Sequence, residues 1–146
     1  MYFVDRSKIE STLQYLDDLL EEIKDNQFNT RIEKLGLERS VHLVIESILD
    51  VGNMMIDGFI MRDPGSYHDI IDILIDEKVL SDSDEPSFKS VIDLRQMLVQ
   101  NYLEIDEQKV EKVIMESMDT LPEFSRKVRS YLENELGVAN AFSNEN

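Results

Sequence analysis

Apolar residues recur at three- and four-residue intervals along most of the chain, which is the spacing of amphipathic helices. The first such stretch predicts a helix over about residues 5–25, with Ser7 and Glu10 as a capping box. A longer stretch predicts a second helix over about residues 30–59, which its glycines weaken in places. The predicted buried positions are Ile9, Leu13, Leu16, Leu20 and Ile23 in the first helix and Val41, Val44, Ile45, Ile48, Met55 and Phe59 in the second.

Turn and capping signals divide the middle of the chain. A Pro-Gly pair predicts a turn at residues 62–65, and Ser66 is placed to cap a short helix that ends near Glu77. We expect an acidic loop over residues 81–85. Pro86 then begins a helix that reaches about Tyr102, because proline is favoured in the first helical turn.

The last predicted helix follows Asp106 as its capping residue, kinks or restarts at Pro122, and ends with a C-cap at Gly137. Five Gly and three Pro among 146 residues are too few for the frequent turns of a β-sandwich or barrel. Short connections place consecutive helices antiparallel. We therefore predict an all-α antiparallel bundle of four long helices and a short inserted one, with a single domain over residues 1–137 and a flexible tail over residues 138–146.

The chain is strongly acidic, with 31 Asp and Glu against 15 Lys and Arg and a formal net charge of −16. Such a surface repels nucleic-acid phosphates unless basic residues gather locally. The absence of cysteine excludes disulfides, thiolate metal sites and cysteine nucleophiles. Because no leader-like segment and no apolar run of ~20 residues is present, the expected location is the cytoplasm, with no membrane partner.

The sequence offers little for metal or nucleotide chemistry. Its two histidines, His42 and His68, lack the spacing of a di-iron helical bundle, and glycine-rich phosphate-binding motifs are absent. We expect both histidines to be ordinary exposed or core-edge residues. Neither a metal nor a cofactor is expected.

Arg95 is the position that ordinary packing does not explain. A rotation of 100° per residue places it in the middle of the apolar stripe of the helix that begins at Pro86. Since arginine is rarely buried without a partner, its guanidinium needs a carboxylate, an interface or a ligand anion. Candidate partners form a polar stripe on the second helix: Glu46, Asp50, Asn53 and Asp57.

Several short segments, spread over most of the chain, carry a further signal. They are Glu38-Arg39-Ser40, Ile45-Glu46, Leu49-Asp50-Val51-Gly52-Asn53, Pro64-Gly65-Ser66-Tyr67, the segment from Arg95 to Tyr102, and Ile105-Asp106. In this order they resemble the HepT-type branch of the HEPN superfamily, helical proteins paired with minimal nucleotidyltransferases in toxin–antitoxin modules. The resemblance implies a HEPN-type helical bundle.

The resemblance also implies roles for individual residues. In the family an R-x4-H motif forms a metal-independent ribonuclease site, in which the arginine binds the scissile phosphate and the histidine transfers a proton. Arg95 matches the arginine, but the histidine position is Gln100, whose amide is neither acid nor base near neutral pH. Asn53 matches another polar site residue, supported by Glu46 and Asp50. The resemblance therefore implies a ribonuclease whose proton-transfer step is weakened or rerouted.

Two functional hypotheses follow from the resemblance. In the first, the chain is the RNase toxin of a toxin–antitoxin system, a homodimer with the two motif segments across a shared cleft. RNA is then the substrate, and a minimal nucleotidyltransferase is the antitoxin, which modifies with AMP the tyrosine matched by Tyr102. In the second, the chain is a non-catalytic helical protein-binding module of the same fold.

Overall fold

The structure, a computed structural model, describes residues 4–144. Within that range the chain forms α-helices joined by short turns, with no strand, so the predicted all-α fold is confirmed. The helices are α1 (Arg6–Asp25), α2 (Arg31–Gly58), α3 (Tyr67–Asp76), α4 (Glu85–Val99), α5 (Glu107–Glu116) and α6 (Glu123–Asn144). Short 3-10 turns at Asp82–Asp84 and Tyr102–Glu104 flank α4.

Helix α2 lies at the centre of the bundle and contacts α1, α3, α4 and α5. The apolar stripes predicted for the first two helices face each other in the core, and every predicted position is buried. Helix α6 packs against α1, and its Phe124 stacks near Phe88 of α4 with ring centroids 5.6 Å apart. The core is therefore built by the residues whose periodicity predicted the helices.

Gly52 marks the closest approach of α3 to α2. A Cβ atom at this position would stand 2.5 Å from Cγ2 of Ile70, a β-branched side chain with little freedom to move. Helix α2 is unbroken from Arg31 to Gly58, so its glycines do not interrupt it. The close approach at Gly52 sets the first turn of α3 beside α2.

Two of the predicted N-capping residues are confirmed, and a third is not. Ser66 accepts a hydrogen bond from the backbone N–H of Asp69, and Asp106 caps α5 in the same way. The capping box predicted from Ser7 is wrong. Helix α1 is capped by Asp5, which accepts from the N–H of Lys8, so that Ser7 already lies inside the first turn.

Two predicted helix ends, at Tyr102 and at Gly137, are wrong. Helix α4 ends at Val99, before Tyr102, because the N–H groups of Gln100 and Asn101 both bond to the carbonyl of Gln96 and close the helix. Of the kink or restart expected at Pro122, the structure shows a restart, so this stretch forms two helices, α5 and α6. Gly137 is not a C-cap, since α6 continues through it to Asn144.

The division into a domain of residues 1–137 and a flexible tail stays a prediction, and residues 145–146 lie outside the described range. Among residues 4–144 no helix is both long and apolar enough to cross a bilayer.

Residues 81–85, which we expected to form an acidic loop, include a 3-10 turn with a buried acidic residue. Asp84 is buried, accepts from the backbone N–H of Ser81 at 2.9 Å and pairs with Nζ of Lys127 at 2.6 Å. This pair ties the start of α4 to α6. A carboxylate that is paired and hydrogen-bonded tolerates burial that a solvated loop residue would not.

Candidate functional site

Arg95 joins three helices. From α4, its Nε donates a hydrogen bond to Oε1 of Glu46 on α2 at 2.6 Å. Its guanidinium also lies over the ring of Tyr67 on α3, 4.7 Å from the ring centroid. Of the four polar residues that the sequence offered as partners, Glu46 is the one that the structure places against Arg95.

Arg95 lies on the buried face of α4, as its place in the apolar stripe predicted, but 23% of its side chain is exposed. The buried face is formed by Phe88, Val91, Ile92 and Leu94. At 100° per residue Arg95 falls within about 40° of Phe88 and Val91, so its stem projects from the same side of the helix while its tip reaches the surface. The guanidinium is therefore anchored on one side and open to solvent on the other.

The charge of Arg95 is held in place by its partner. The hydrogen bond to Glu46 raises the pKa of Arg95, although burial acts in the opposite direction. Glu46 has a second neighbour, since its Oε1 lies 3.5 Å from Nε2 of His42. Nδ1 of His42 in turn lies 3.2 Å from Nη1 of Arg39.

An open groove of about 500 Å3 runs between the start of α3 and the outer face of α4. Its walls include Arg95 and Gln100, so these two residues of the candidate motif share one surface. His68 also lines the groove, and its Nε2 lies 2.6 Å from Oδ1 of Asp93. The complete lining is Ser66, Tyr67, His68, Ile92, Asp93, Arg95, Gln96 and Gln100.

The other predicted site residues lie around this groove. Asn53 is exposed on α2 and lines a neighbouring groove of about 380 Å3, which the ring of Tyr67 separates from Arg95. Asp50 is exposed one turn along α2 from Glu46. The structure thus brings Arg95, Glu46 and Gln100 together and leaves Asn53 and Asp50 at the margin.

Tyr102 lies beyond the end of α4, in the 3-10 turn Tyr102–Glu104, with 65% of its surface exposed. The helix predicted to reach Tyr102 ends at Val99, so Tyr102 does not share a helical face with Arg95. The Tyr102 ring is not packed inside a cleft. The tyrosine hydroxyl is instead carried on an exposed turn directly after Gln100 and Asn101.

Sequence reasoning missed two residues of this site, Tyr67 and His68. The N-cap at Ser66 places both in the first turn of α3, which was a usable signal. The partner of His68 was not predictable, because Asp93 is 25 residues away and meets it only through the packing of α3 on α4.

The model of the family described as Ribonuclease HepT-like matches residues 9–128. The chain belongs to the HepT-like family. The resemblance inferred from the short segments is therefore confirmed.

Two solved structures and one curated relative resemble this HepT-like chain. A Bacillus subtilis (strain 168) protein named "Putative RNase YutE" is 50% identical over 144 residues, covering 97% of this chain and 99% of that protein. The structure of YutE, titled as a cytosolic protein of unknown function from Bacillus subtilis, matches with a TM-score of 0.91 at 50% identity over 94% of this chain and 96% of that one. A crystal structure titled as a toxin–antitoxin with AMP-PNP matches with a TM-score of 0.67 over 84% of this chain and 95% of that one. At 16% identity, this last likeness shows the shared fold alone.

In the described part of the HepT-like chain, no three His, Asp or Glu side chains gather in a way that could hold a metal ion. The functional groups that line the groove are a guanidinium, an imidazole, a carboxylate, two amides and two hydroxyls. These groups bind anions and move protons.

Asp69 fixes the turn from which Tyr67 and His68 project. Its carboxylate accepts from Nη1 and Nη2 of Arg62 at 2.7 and 2.8 Å and from the backbone N–H of Gly65 at 2.8 Å. The hydrogen bonds from Arg62, and then the one from Gly65, lower the pKa of Asp69 from 3.8 to about 2. The ionised carboxylate therefore holds the segment before α3.

This shift predicts how acid affects the fold. Because the pKa of Asp69 is lower in the folded than in the unfolded state, its contribution to stability is fully present above about pH 3.8 and is lost as pH falls towards 2. We expect wild type to unfold at higher urea concentration than Asp69→Asn at pH 6, with the difference shrinking between pH 4 and pH 2. Asp76→Asn, at an exposed carboxylate 3.7 Å from Arg62, is the matched control and should change little. A difference between wild type and Asp69→Asn that stayed constant down to pH 2 would contradict this role.

Proposed function

We propose that this chain is an RNA-cleaving toxin of a HEPN/nucleotidyltransferase toxin–antitoxin system, and that Arg95 binds the scissile phosphate in the groove between α3 and α4. The observation that carries the proposal is that Arg95 is held by Glu46 and still partly exposed on the groove. Glu46 engages Nε, and the rest of the guanidinium lies beside Tyr67 with part of its surface open to the groove. Family membership and the name of the Bacillus subtilis relative support the same activity.

The local charge of the groove suits an anion better than the rest of the surface does. Its lining contains one carboxylate, Asp93, and one guanidinium, Arg95, in a chain whose formal net charge is −16. Asp93 is engaged by His68. An arginine already held in one orientation loses less conformational freedom when it binds a phosphate, so pre-organisation favours binding here.

Gln100 limits the rate of the proposed reaction. It ends α4 with its side chain exposed on the groove, where the amide donates and accepts hydrogen bonds but does not exchange a proton near neutral pH. A positioned proton-transfer group is typically worth ~10²–10⁴ in rate. Gln100 therefore orients RNA, and cleavage at this position is slower than with histidine.

The proposal predicts opposite effects from two substitutions. Arg95→Ala should lower the cleavage rate of a mixed-sequence RNA oligonucleotide at least ~100-fold, because it removes the phosphate-binding donors. Gln100→His should raise the rate, because it supplies a proton-transfer group. Arg126→Ala removes an equal charge from the exposed face of α6, where Arg126 pairs with Glu123, and should leave the rate unchanged. Equal cleavage by wild type and Arg95→Ala would overturn the proposal.

We further propose that the active form is a homodimer assembled through α4 and the turn that follows it. Apolar side chains leave the core at this end of α4, where Leu103 is 88% and Tyr102 is 65% exposed. Neighbouring apolar exposure of this kind is typical of a protein interface. A two-fold interface here would bring the Arg95 grooves of two copies into one cleft.

Light scattering at micromolar concentration should give about twice the 17.0 kDa of one chain. Leu103→Asp should produce the monomer, because it places a charge in the proposed interface. Ile32→Asp is the matched control, since Ile32 is 76% exposed at the start of α2. A monomeric wild type, or dissociation by both variants alike, would contradict an interface at α4.

We also propose that a cognate minimal nucleotidyltransferase is the antitoxin and that it transfers AMP to Tyr102. The exposed turn makes the hydroxyl accessible to an enzyme. In the reaction the tyrosine oxygen attacks the α-phosphorus of ATP, the hydroxyl proton is lost and pyrophosphate leaves. A helical neighbour with the same fold was solved as a toxin–antitoxin with AMP-PNP, which supports an antitoxin partner.

Intact mass and peptide mapping after incubation with ATP and the nucleotidyltransferase should locate the AMP adduct on Tyr102. Tyr102→Phe should abolish labelling, because it removes the acceptor oxygen. Tyr15→Phe, at an α1 tyrosine that is 47% exposed, should be labelled as wild type is. Adducts that persist on Tyr102→Phe would assign the modification to another residue.

A non-catalytic protein-binding module remains the second candidate, and the observation that favours it is Gln100 itself. In that case Arg95 would bind a carboxylate of a protein partner. RNA cleavage absent from both wild type and Gln100→His would support this alternative.

A further inference from the structure

We propose that His68, oriented by Asp93, supplies the proton transfer that Gln100 cannot. The inference rests on the proposed ribonuclease function. His68 is in the first turn of α3, lines the same groove as Arg95 and Gln100, and has 40% of its side chain exposed. A substrate in that groove therefore reaches an imidazole without any change of fold.

The hydrogen bond to Asp93 determines which nitrogen of His68 is the base. Nε2 lies 2.6 Å from Oδ1 of Asp93, and a carboxylate is an acceptor, so in the neutral ring the proton is on Nε2. Nδ1 then carries the lone pair. Among the described residues Nδ1 has no hydrogen-bond partner. Asp93 thus holds the ring in the tautomer that leaves Nδ1 free to accept a proton, which is the role of the carboxylate in an Asp–His pair.

His68 and Arg95 flank the groove from two sides. With 100° per residue, Arg95 and Asp93 lie on opposite flanks of the row formed by Ile92, Gln96 and Gln100 on α4. Consecutive residues of α3 meet these two flanks, since Tyr67 covers Arg95 and His68 pairs with Asp93. A phosphate bound by Arg95 would lie over Gln96. The imidazole of His68 would then face the side of the phosphate that points away from Arg95.

The second histidine is not available for this role. His42 lies close to Arg95 through Glu46, but its Nδ1 accepts from the guanidinium of Arg39 at 3.2 Å and its Nε2 faces Glu46 at 3.5 Å. Since arginine is always protonated, it occupies the one lone pair of the neutral ring. His42 positions Glu46, whereas His68 has a nitrogen open to a substrate.

The proposed step needs no co-reactant. Nδ1 of His68 takes the proton of an RNA 2′-hydroxyl, and the 2′-oxygen forms a bond to the adjacent phosphorus as the bond from phosphorus to the 5′-oxygen breaks. The departing 5′-oxygen receives the proton from the imidazolium of His68. The products are a 2′,3′-cyclic phosphate and a 5′-hydroxyl, so atoms and charges balance. Arg95 binds the phosphate oxygens throughout.

Chemical rescue tests this assignment. His68→Ala should cleave RNA ~10²–10⁴-fold more slowly than wild type, as expected for loss of a general base, and added imidazole should restore part of the rate. His42→Ala should lose less activity, and imidazole should restore none of that loss. Asp93→Asn should lower kcat while KM and the melting temperature stay near their wild-type values, because it removes only the group that orients His68.

The outcomes separate this inference from the function on which it rests. Full activity in His68→Ala with none in Arg95→Ala would overturn the role of His68 and leave the ribonuclease intact. Rescue of His42→Ala in place of His68→Ala would assign the step to His42. Cleavage by neither wild type nor Gln100→His would remove the ribonuclease function, and the role of His68 with it. A folded state of each variant, checked by circular dichroism, assigns any loss to chemistry.

Discussion

The hydrogen bond between Arg95 and Glu46 sets the rotation of α4 in the bundle. A guanidinium at the edge of an apolar core requires an acceptor, so α4 must turn Arg95 towards the polar stripe of α2. That rotation sends Phe88 and Val91 into the core and leaves Gln96 and Gln100 on the outer face beside α3. The groove, its lining and its one anchored cation all follow from this single contact between two helices.

Local signals predicted the helices well, because a capping residue and an apolar period act within one turn of the chain. Ser66 and Asp106 cap the helices predicted for them, and the core residues of α1 and α2 are the predicted ones. The end of α4 was misplaced, since apolar Leu98 and Val99 continue the pattern although the backbone closes on Gln96. The pattern describes side chains, whereas the helix ends where its backbone hydrogen bonds do.

Some residues of the site were predicted from the sequence and others were not, and the difference has a physical cause. Arg95 stood out because a charge in an apolar period is costly, and Glu46 was among its possible partners for the complementary reason. His68 gave no such signal, because an exposed histidine costs nothing and its partner Asp93 comes from another helix. The net charge of the chain likewise says little about the charge inside the groove. Charges more than about 8 Å away are largely screened at physiological ionic strength, so the groove responds mainly to its own lining.

Tyr102, the proposed site of modification, lies apart from the contacts that build the groove. Had α4 continued, an AMP group on Tyr102 would have lain along the same helical face as Arg95, and its effect would have depended on that face. Because the tyrosine is on the exposed turn after α4, an adduct there leaves the bond between Arg95 and Glu46 and the packing of α3 undisturbed. Under the proposed function, its added phosphate charge would lie two residues beyond Gln100, which lines the groove, and would act by repelling RNA or by competing for Arg95. Under the proposed function, the modified toxin is therefore a folded protein with a blocked groove.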